Sequence, residues 1–151
     1  MEIPQDILAK CHAQGVAAYP EEACGFITGS RDDPDLLETV WPMQNMMNEL
    51  HEKDPLKYPR TALEGYLIDP LEQLKLERFL KKEGKEVKVI YHSHPDVGAY
   101  FSEKDKEEAL WGGKARYPGV KFLVCGTTKG KPDGAIIAEF NHESSDFDII
   151  P

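Results

Sequence analysis

Long hydrophobic runs and an excess of positive charge are both missing from this sequence of 151 residues. Its longest apolar stretches are about four residues, far short of the roughly 20 that a membrane-spanning helix needs. The formal net charge is −9, with 18 basic against 27 acidic residues, whereas non-specific binding to nucleic acid or to an anionic membrane requires a basic surface. We therefore expect no nucleic-acid partner and no membrane partner.

Cysteine is also scarce. The three cysteines, Cys11, Cys24 and Cys125, are odd in number, widely spaced and never arranged as Cys-x-x-Cys, which argues against a disulfide framework and against a cysteine-based zinc site. The N-terminus carries neither the basic region nor the apolar region of a secretory signal. Together these features predict reduced thiols and a cytoplasmic location.

Internal repeats, low-complexity tracts and Gly/Ser linkers are absent too. The length suits a single domain over residues 1–151, and 40% apolar residues are enough for a core without disulfide or metal staples. The sequence therefore predicts one compact unit.

Helical and strand patterns alternate irregularly along the chain. We predict helices over 3–14, 69–82 and 102–111, and strands over 24–29, 37–43, 87–92, 120–125 and 135–140. The first helix should end before Gly15, the second should be capped by Asp69 with Pro70 at its first position, and Gly112-Gly113 should stop the third. Residues 43–60 are predicted to form an irregular surface loop. The last two strands should pair as a hairpin, and the whole pattern favours an α+β fold, a mixed α/β sandwich.

The segment that carries chemistry is Tyr91-His92-Ser93-His94-Pro95, followed by Ser102-Glu-Lys-Asp105. Side chains alternate along a strand, so His92 and His94 share one face. Asp105 follows one helical turn after Ser102 and can complete a set of two imidazoles and one carboxylate. Three protein ligands leave one position open for water, as in catalytic rather than structural zinc sites.

The same side chains also fit arrangements without a catalytic zinc ion. Ser102-x-x-Asp105 resembles a capping box, so these two side chains could begin a helix, with or without a second role. Two histidines can fall on one strand face by chance, and the ligand types also suit an iron oxygenase. Two other metal-binding motifs do not fit. A metallo-β-lactamase motif would need histidine at position 97, which is valine. A cupin would need a glutamate soon after His94, and none lies between His94 and Glu103.

The run His92-x-His94-Pro95, then seven residues between His94 and Ser102, then Ser102-x-x-Asp105, resembles the JAMM motif of MPN-plus zinc isopeptidases. The family also has a glutamate in a Pro-x-Glu-x-Cys-Gly stretch, which Pro20 to Gly25 matches with Glu22. Tyr66-Leu-Ile-Asp-Pro and Tyr117-Pro resemble the compact prokaryotic members, and the similarity extends over residues 18–140. The resemblance implies a cytidine-deaminase-like MPN fold with a central, mostly antiparallel sheet flanked by helices.

The resemblance also implies roles for five residues. His92, His94 and Asp105 would be the ligands of one Zn²⁺ ion, Glu22 the general base, and Ser102 the hydroxyl that hydrogen-bonds the oxyanion of the tetrahedral intermediate. From sequence physics alone Glu22 is an acidic residue before a strand, of a kind that is mostly solvated. Cys24 has no evident base beside it and is interpreted as structural, while His12, His51 and His142 are interpreted as surface or packing residues.

The compact prokaryotic type is linked to ubiquitin-like sulfur-carrier proteins. The resemblance therefore implies a zinc peptidase that hydrolyses the amide bond after the C-terminal Gly-Gly of such a protein. Two alternatives stay open: a deconjugase of lysine isopeptide bonds, and a non-catalytic MPN interaction module. Met43, Met46 and Met47, beside Asn45 and Asn48, could line a peptide groove, pack in the core or form a mobile lid.

Overall fold

The computed structural model describes residues 2–150, and its centre is a six-stranded sheet. The helices are α1 (Gln5–Ala18), α2 (Met47–Lys53), α3 (Pro70–Lys82) and α4 (Glu103–Ala109). The strands are β1 (Cys24–Ser30), β2 (Thr39–Met43), β3 (Lys85–Pro95), β4 (Leu110–Trp111), β5 (Lys114–Ala115), β6 (Lys121–Thr128), β7 (Lys131–Asn141) and β8 (Asp146–Ile150).

The large sheet has the strand order β2-β1-β3-β6-β7-β8, and β4 pairs with β5 in a separate short hairpin. Every neighbouring pair in the large sheet is antiparallel except β3 and β6, which run parallel with His92 opposite Val124 and His94 opposite Gly126. The carboxyl ends of these two central strands therefore meet at one edge, where a cleft can form.

Alternation along the strands sends apolar side chains to both faces of this sheet. Phe26, Ile90 and Phe122 lie on one face and pack against Leu80 of α3. Their strand neighbours lie on the other face and pack against α1, in a cluster that comprises Ile7, Cys11, Ile27, Leu37, Val89, Tyr91, Leu123 and Cys125. The predicted fold class is confirmed: a mixed sheet lies between helices on its two sides.

Helix α3 forms as its sequence predicts. Asp69 is the N-cap and its carboxylate accepts a hydrogen bond from the Leu71 N–H at 2.9 Å, with Pro70 in the first turn. Leu76 and Leu80 are the buried positions of the helix, which is the apolar spacing expected of a helix that covers a sheet.

The prediction that the first helix ends before Gly15 was wrong, since α1 continues to Ala18. A Cβ at Gly15 would lie 3.0 Å from Ser93 Cβ and 3.1 Å from Thr127 Oγ1. This glycine is therefore in the helix because α1 approaches the sheet closely there, and it does not mark a helix end.

Two further predictions needed correction, and one strand was missed. Residues 43–60 contain α2, whose Met47 is buried, so this methionine packs in the core. Helix α4 ends at Ala109, and residues 110–115 form the β4–β5 hairpin around Gly112-Gly113. Strand β8 was not predicted, although it pairs with β7 along five residues. None of the helices within residues 2–150 is long and apolar enough to span a membrane.

Candidate metal and catalytic site

The two histidines of β3 lie at the edge where β3 and β6 end. They have the same strand parity as Ile90 and contact Asp105 of α4, while Ser93 lies on the opposite face, next to Gly15 of α1. Both rings are almost completely buried, and their Nε2 atoms lie 3.0 Å apart. This confirms that the alternation of β3 places the two imidazoles on one face.

Asp105 of α4 completes a compact set of donor atoms. Its Oδ2 atom lies 3.2 Å from His92 Nε2 and 3.3 Å from His94 Nε2. In a tetrahedral zinc site with bonds of about 2.0–2.1 Å, neighbouring donor atoms are separated by about 3.3 Å. The three atoms thus have the spacing of one face of such a tetrahedron, and these side chains fit a zinc ion.

The start of α4 orients this carboxylate. Ser102 Oγ accepts a hydrogen bond from the Asp105 N–H, and Asp105 Oδ2 accepts one from the Ser102 N–H, both at 3.0 Å. This reciprocal capping box is one of the two arrangements that the sequence pattern left open. Because Ser102 Oγ acts as an acceptor in it, the hydroxyl proton stays free for another partner. Capping and a second role for Ser102 are therefore compatible.

Glu22 lies beside this set although it is distant in sequence. Its side chain is buried, with 6% of the residue exposed. One carboxylate oxygen and the donor nitrogens of His92 and His94 all lie within 4.8 Å of one another. These three side chains could themselves hold a metal ion. Glu22 and Asp105 therefore each bring a carboxylate to the same two histidines.

Burial and charge move the pKa values of these groups in different directions. Burial raises the pKa of Glu22, against the opposing charges of His92 and His94. Burial also acts to raise the pKa of Asp105, but hydrogen bonds to the two histidines outweigh it and hold that pKa well below its usual range. Asp105 is thus suited to stay ionised, whereas Glu22 is suited to exchange a proton.

A tyrosine packs on each histidine. Tyr66 stacks on His92 with ring centroids 4.5 Å apart, and Tyr100 meets His94 edge-on at 4.9 Å. Sequence reasoning noted Tyr66 only as part of a resemblance and did not identify Tyr100. The sequence shows an aromatic residue in each segment. Neither segment has a helical or strand pattern from which the position of the ring could be predicted.

A cleft of about 410 Å³ opens next to the histidines, lined by Glu22, Arg60, His94, Tyr100 and Ser102 among others. Arg60 was not identified from the sequence. Within residues 2–150 its guanidinium makes no salt bridge and donates to the Glu64 carbonyl at 3.4 Å, while its charge acts to lower the pKa of Glu22 in the same cleft. The cleft therefore offers a cation to a ligand.

The cysteines and the remaining histidines lie apart from this chemistry. All three cysteines are buried and free, and burial raises the pKa of Cys24 to about 12, which disfavours the thiolate that a nucleophile requires. His51 Nδ1 contacts the Tyr58 carbonyl, and His142 packs against Phe140. Within the part of the chain that the structure describes, the cluster of metal-binding side chains is the one around His92 and His94.

Comparison with known families identifies the chain. Residues 4–134 match the family described as prokaryotic homologs of the JAB domain, Prok-JAB. The chain belongs to the Prok-JAB family. This membership confirms the resemblance that the His-x-His and Ser-x-x-Asp segments suggest.

Curated relatives of this Prok-JAB chain have names that describe proteases. A probable TtuB-protein conjugate cleaving protease of Thermus thermophilus is 33% identical over 125 residues, 83% of this chain and 69% of the relative. The desampylase of Haloferax volcanii is 30% identical over 129 residues, which are 84% of this chain and 76% of the relative. The CysO-cysteine peptidase of Mycobacterium tuberculosis is 32% identical over 103 residues, which are 68% of this chain and 61% of the relative.

Solved structures support the fold of this Prok-JAB chain. The solution structure of a Desulfitobacterium hafniense protein aligns over 97% of this chain and 86% of its own, with a TM-score of 0.69 and 25% identity. A JAB1/MPN domain protein from Archaeoglobus fulgidus aligns over 98% and 94%, with a TM-score of 0.52. At 14% identity the second similarity concerns the fold alone.

Proposed function

We propose that this chain is a zinc-dependent peptidase that hydrolyses the amide bond after the C-terminal Gly-Gly of a ubiquitin-like or sulfur-carrier protein. The observation that carries the proposal is the spacing of the site. Three donor atoms lie 3.0 to 3.3 Å apart, and an oxygen of a second, buried carboxylate, Glu22, lies within 4.8 Å of both histidine nitrogens. The names of the relatives supply the class of bond and the class of partner.

His92, His94 and Asp105 would hold a single zinc ion. When bound, zinc polarises a carbonyl group and lowers the pKa of water towards about 7. Asp105 contributes a lasting negative charge, because its pKa lies well below the usual range. Each histidine contributes a ring whose orientation is restricted by a packed tyrosine.

Glu22 would be the general base and then the general acid. Burial raises the pKa of its carboxyl, so the group can take a proton from the attacking water and pass it to the leaving amine. Ser102 would stabilise the oxyanion through the hydroxyl proton that its capping role leaves free. Removing one such donor from an enzyme costs roughly 10²–10³ in rate.

The proposed Gly-Gly tail suits a site at a strand edge. Only glycine lets a backbone lie flat and close to a metal without a Cβ in the way. Arg60, which lines the cleft without a carboxylate partner in the described structure, suits a leaving group with its own α-carboxylate, such as a freed cysteine. This favours release of an amino acid over cleavage of a lysine isopeptide bond, which stays the alternative.

The test uses the zinc-loaded protein and two substrates. One is a carrier protein with an additional C-terminal cysteine, and the other is the same carrier joined to a lysine side chain. We expect mass spectrometry to show faster release of cysteine, and no product with Glu22→Gln or His94→Ala. The matched control is His142→Ala, which removes a histidine outside the site and should cleave normally.

Two results would favour the alternatives. Faster cleavage of the lysine conjugate would favour the deconjugase. Cleavage of neither substrate by zinc-loaded wild-type protein would leave a non-catalytic interaction module. A single domain over residues 1–151 and a cytoplasmic location stay predictions.

A further inference from the structure

The peptide bond between Glu22 and Ala23 is held on both sides by side chains. It lies just before β1, which begins at Cys24. The Glu22 carbonyl accepts a hydrogen bond from Asn45 Nδ2 at 3.0 Å, and the Ala23 N–H donates to Ser93 Oγ at 2.8 Å. The Glu22 N–H also donates to the Ala62 carbonyl at 2.7 Å. The backbone that carries the Glu22 side chain is therefore fixed at three points.

Asn45 uses its whole side-chain amide in this arrangement. Nδ2 donates a second hydrogen bond to the Gly65 carbonyl at 3.0 Å. Oδ1 accepts from the Met47 N–H at 3.0 Å and from the Leu67 N–H at 3.2 Å. Two donors and an acceptor with two lone pairs are the full capacity of an amide. The partners also determine its orientation, because a flipped amide would place donors against N–H groups and an oxygen against carbonyls.

The second pair of contacts connects Asn45 to the ring on His92. Gly65 and Leu67, which Asn45 binds, flank Tyr66 in the chain, and Tyr66 stacks on His92. One amide therefore joins the segment that carries Glu22 to the segment that packs against a ligand. A fully satisfied, half-buried network of this kind restricts its members to one arrangement.

We propose that Asn45 is a positioning residue that acts through Glu22, holding the carboxylate at its distance from the two histidines. The inference rests on the proposed function, since it gives Glu22 the role of general base. Ser93 also fixes this peptide. Its Oγ, on the face of β3 opposite to the histidines, accepts a hydrogen bond from the Ala23 N–H.

The test compares Asn45→Ala with Asn48→Ala. Asn48 is the matched control: its Oδ1 accepts from the Ala62 N–H at 2.8 Å and its Nδ2 donates to Glu21. It reaches Glu22 only through Ala62, whose carbonyl accepts the Glu22 N–H, whereas Asn45 binds the Glu22–Ala23 peptide directly. We expect kcat of Asn45→Ala to fall about 100-fold, the cost of misplacing a reacting group by about 1 Å. KM should change less than about threefold, and Asn48→Ala should keep kcat within about threefold. Asn45→Asp, which keeps the acceptor and loses both donors, should behave like Asn45→Ala.

A double-mutant cycle separates positioning from general support. Groups that act as a unit are not additive, so Asn45→Ala should cause a smaller loss of kcat in Glu22→Asp, whose shorter side chain already displaces the carboxylate, than in the wild-type background. An equal loss of kcat in both backgrounds, or equal effects of Asn45→Ala and Asn48→Ala, would overturn the proposal. Zinc content measured on each variant should stay at the wild-type value, and a parallel loss of zinc would also overturn it.

Amide hydrogen exchange tests the hold without any activity. Exchange at the Glu22 and Ala23 amides should be faster in Asn45→Ala and Asn45→Asp than in wild type, and should stay slow at Ala23 in Asn48→Ala. Unchanged exchange in the Asn45 variants would overturn the inference even with an active enzyme. If exchange is faster in those variants but the wild-type protein cleaves neither substrate, Asn45 fixes the backbone of Glu22 and the proposed function is refuted.

Discussion

At the scale of single residues, Ser102 combines two tasks that can be measured separately. Its Oγ caps α4 by accepting the Asp105 N–H, and its proton is free to donate into the cleft. Asp69 does the first task alone, as the cap of α3. The two residues therefore form a natural pair for separating a helix cap from a catalytic donor.

We predict that Ser102→Ala lowers the free energy of unfolding by about 1 kcal/mol, the typical cost of a lost N-cap. It should also lower kcat by roughly 10²–10³, the cost of a lost oxyanion donor. Asp69→Ala should cost a similar amount of stability and leave kcat unchanged. Chemical denaturation and steady-state kinetics check both, and a normal kcat for Ser102→Ala would contradict the catalytic role.

Glu22 gives a prediction on pH. Burial raises its pKa in the folded state above the ordinary value of 4.5. The folded state therefore binds more protons than the unfolded state between those pKa values, and stability falls as pH rises through the folded pKa. In metal-free protein, Glu22→Gln removes the cost of burying an ionised carboxylate. The variant should therefore be more stable than wild type at about pH 8, with a smaller gain in stability at about pH 5.

Denaturation with urea in the presence of a chelator measures the difference. The control is Glu21→Gln, the neighbouring and less buried carboxylate, which should retain the pH dependence of the wild-type protein. If Glu22→Gln were no more stable than wild type at the higher pH, burial would not control this carboxyl group.

At the scale of elements, caps and periodicity were reliable guides and glycines were not. Asp69-Pro70 marked the start of α3, and Ser102-x-x-Asp105 marked the start of α4, because each cap is formed by residues a few positions apart. Gly15 was misinterpreted as a helix end. A glycine is present there because α1 lies close to Ser93, and sequence spacing does not reveal that contact.

The close approach of α1 leads to a prediction. Gly15→Val should lower the free energy of unfolding by about 1–3 kcal/mol, the usual cost of overpacking, because the new side chain meets Ser93 and Thr127. Ala13→Val on the exposed side of the same helix is the control and should stay within about 0.5 kcal/mol. Equal stabilities of the two variants would mean that α1 does not contact the sheet at Gly15.

At the scale of the whole molecule, the site joins segments that are distant in sequence. The histidines come from β3, Asp105 from α4 and Glu22 from the residues before β1. A ligand that binds such a set binds only the folded chain and stabilises it by mass action, by about 2.7 kcal/mol at 100 times Kd.

We therefore predict that chelation abolishes hydrolysis and lowers the thermal midpoint, and that added Zn²⁺ restores both. His94→Ala should lose the Zn²⁺-dependent shift of the midpoint, while His142→Ala should retain it. Differential scanning fluorimetry with and without Zn²⁺, beside metal analysis of the purified protein, checks the result. A midpoint that ignores Zn²⁺ in wild-type protein would refute the ligand set.

The sequence by itself determined what depends on near neighbours. It put His92 and His94 on one strand face through a period of two, Asp105 beside Ser102 through a helix cap, and α3 through its apolar spacing. Tertiary structure decided the rest: the position of Glu22 next to histidines some 70 residues later, the four contacts of Asn45, and the course of α1 past Gly15. Backbone periodicity acts over a few residues, whereas contacts between distant segments arise only when the two faces of the sheet are packed.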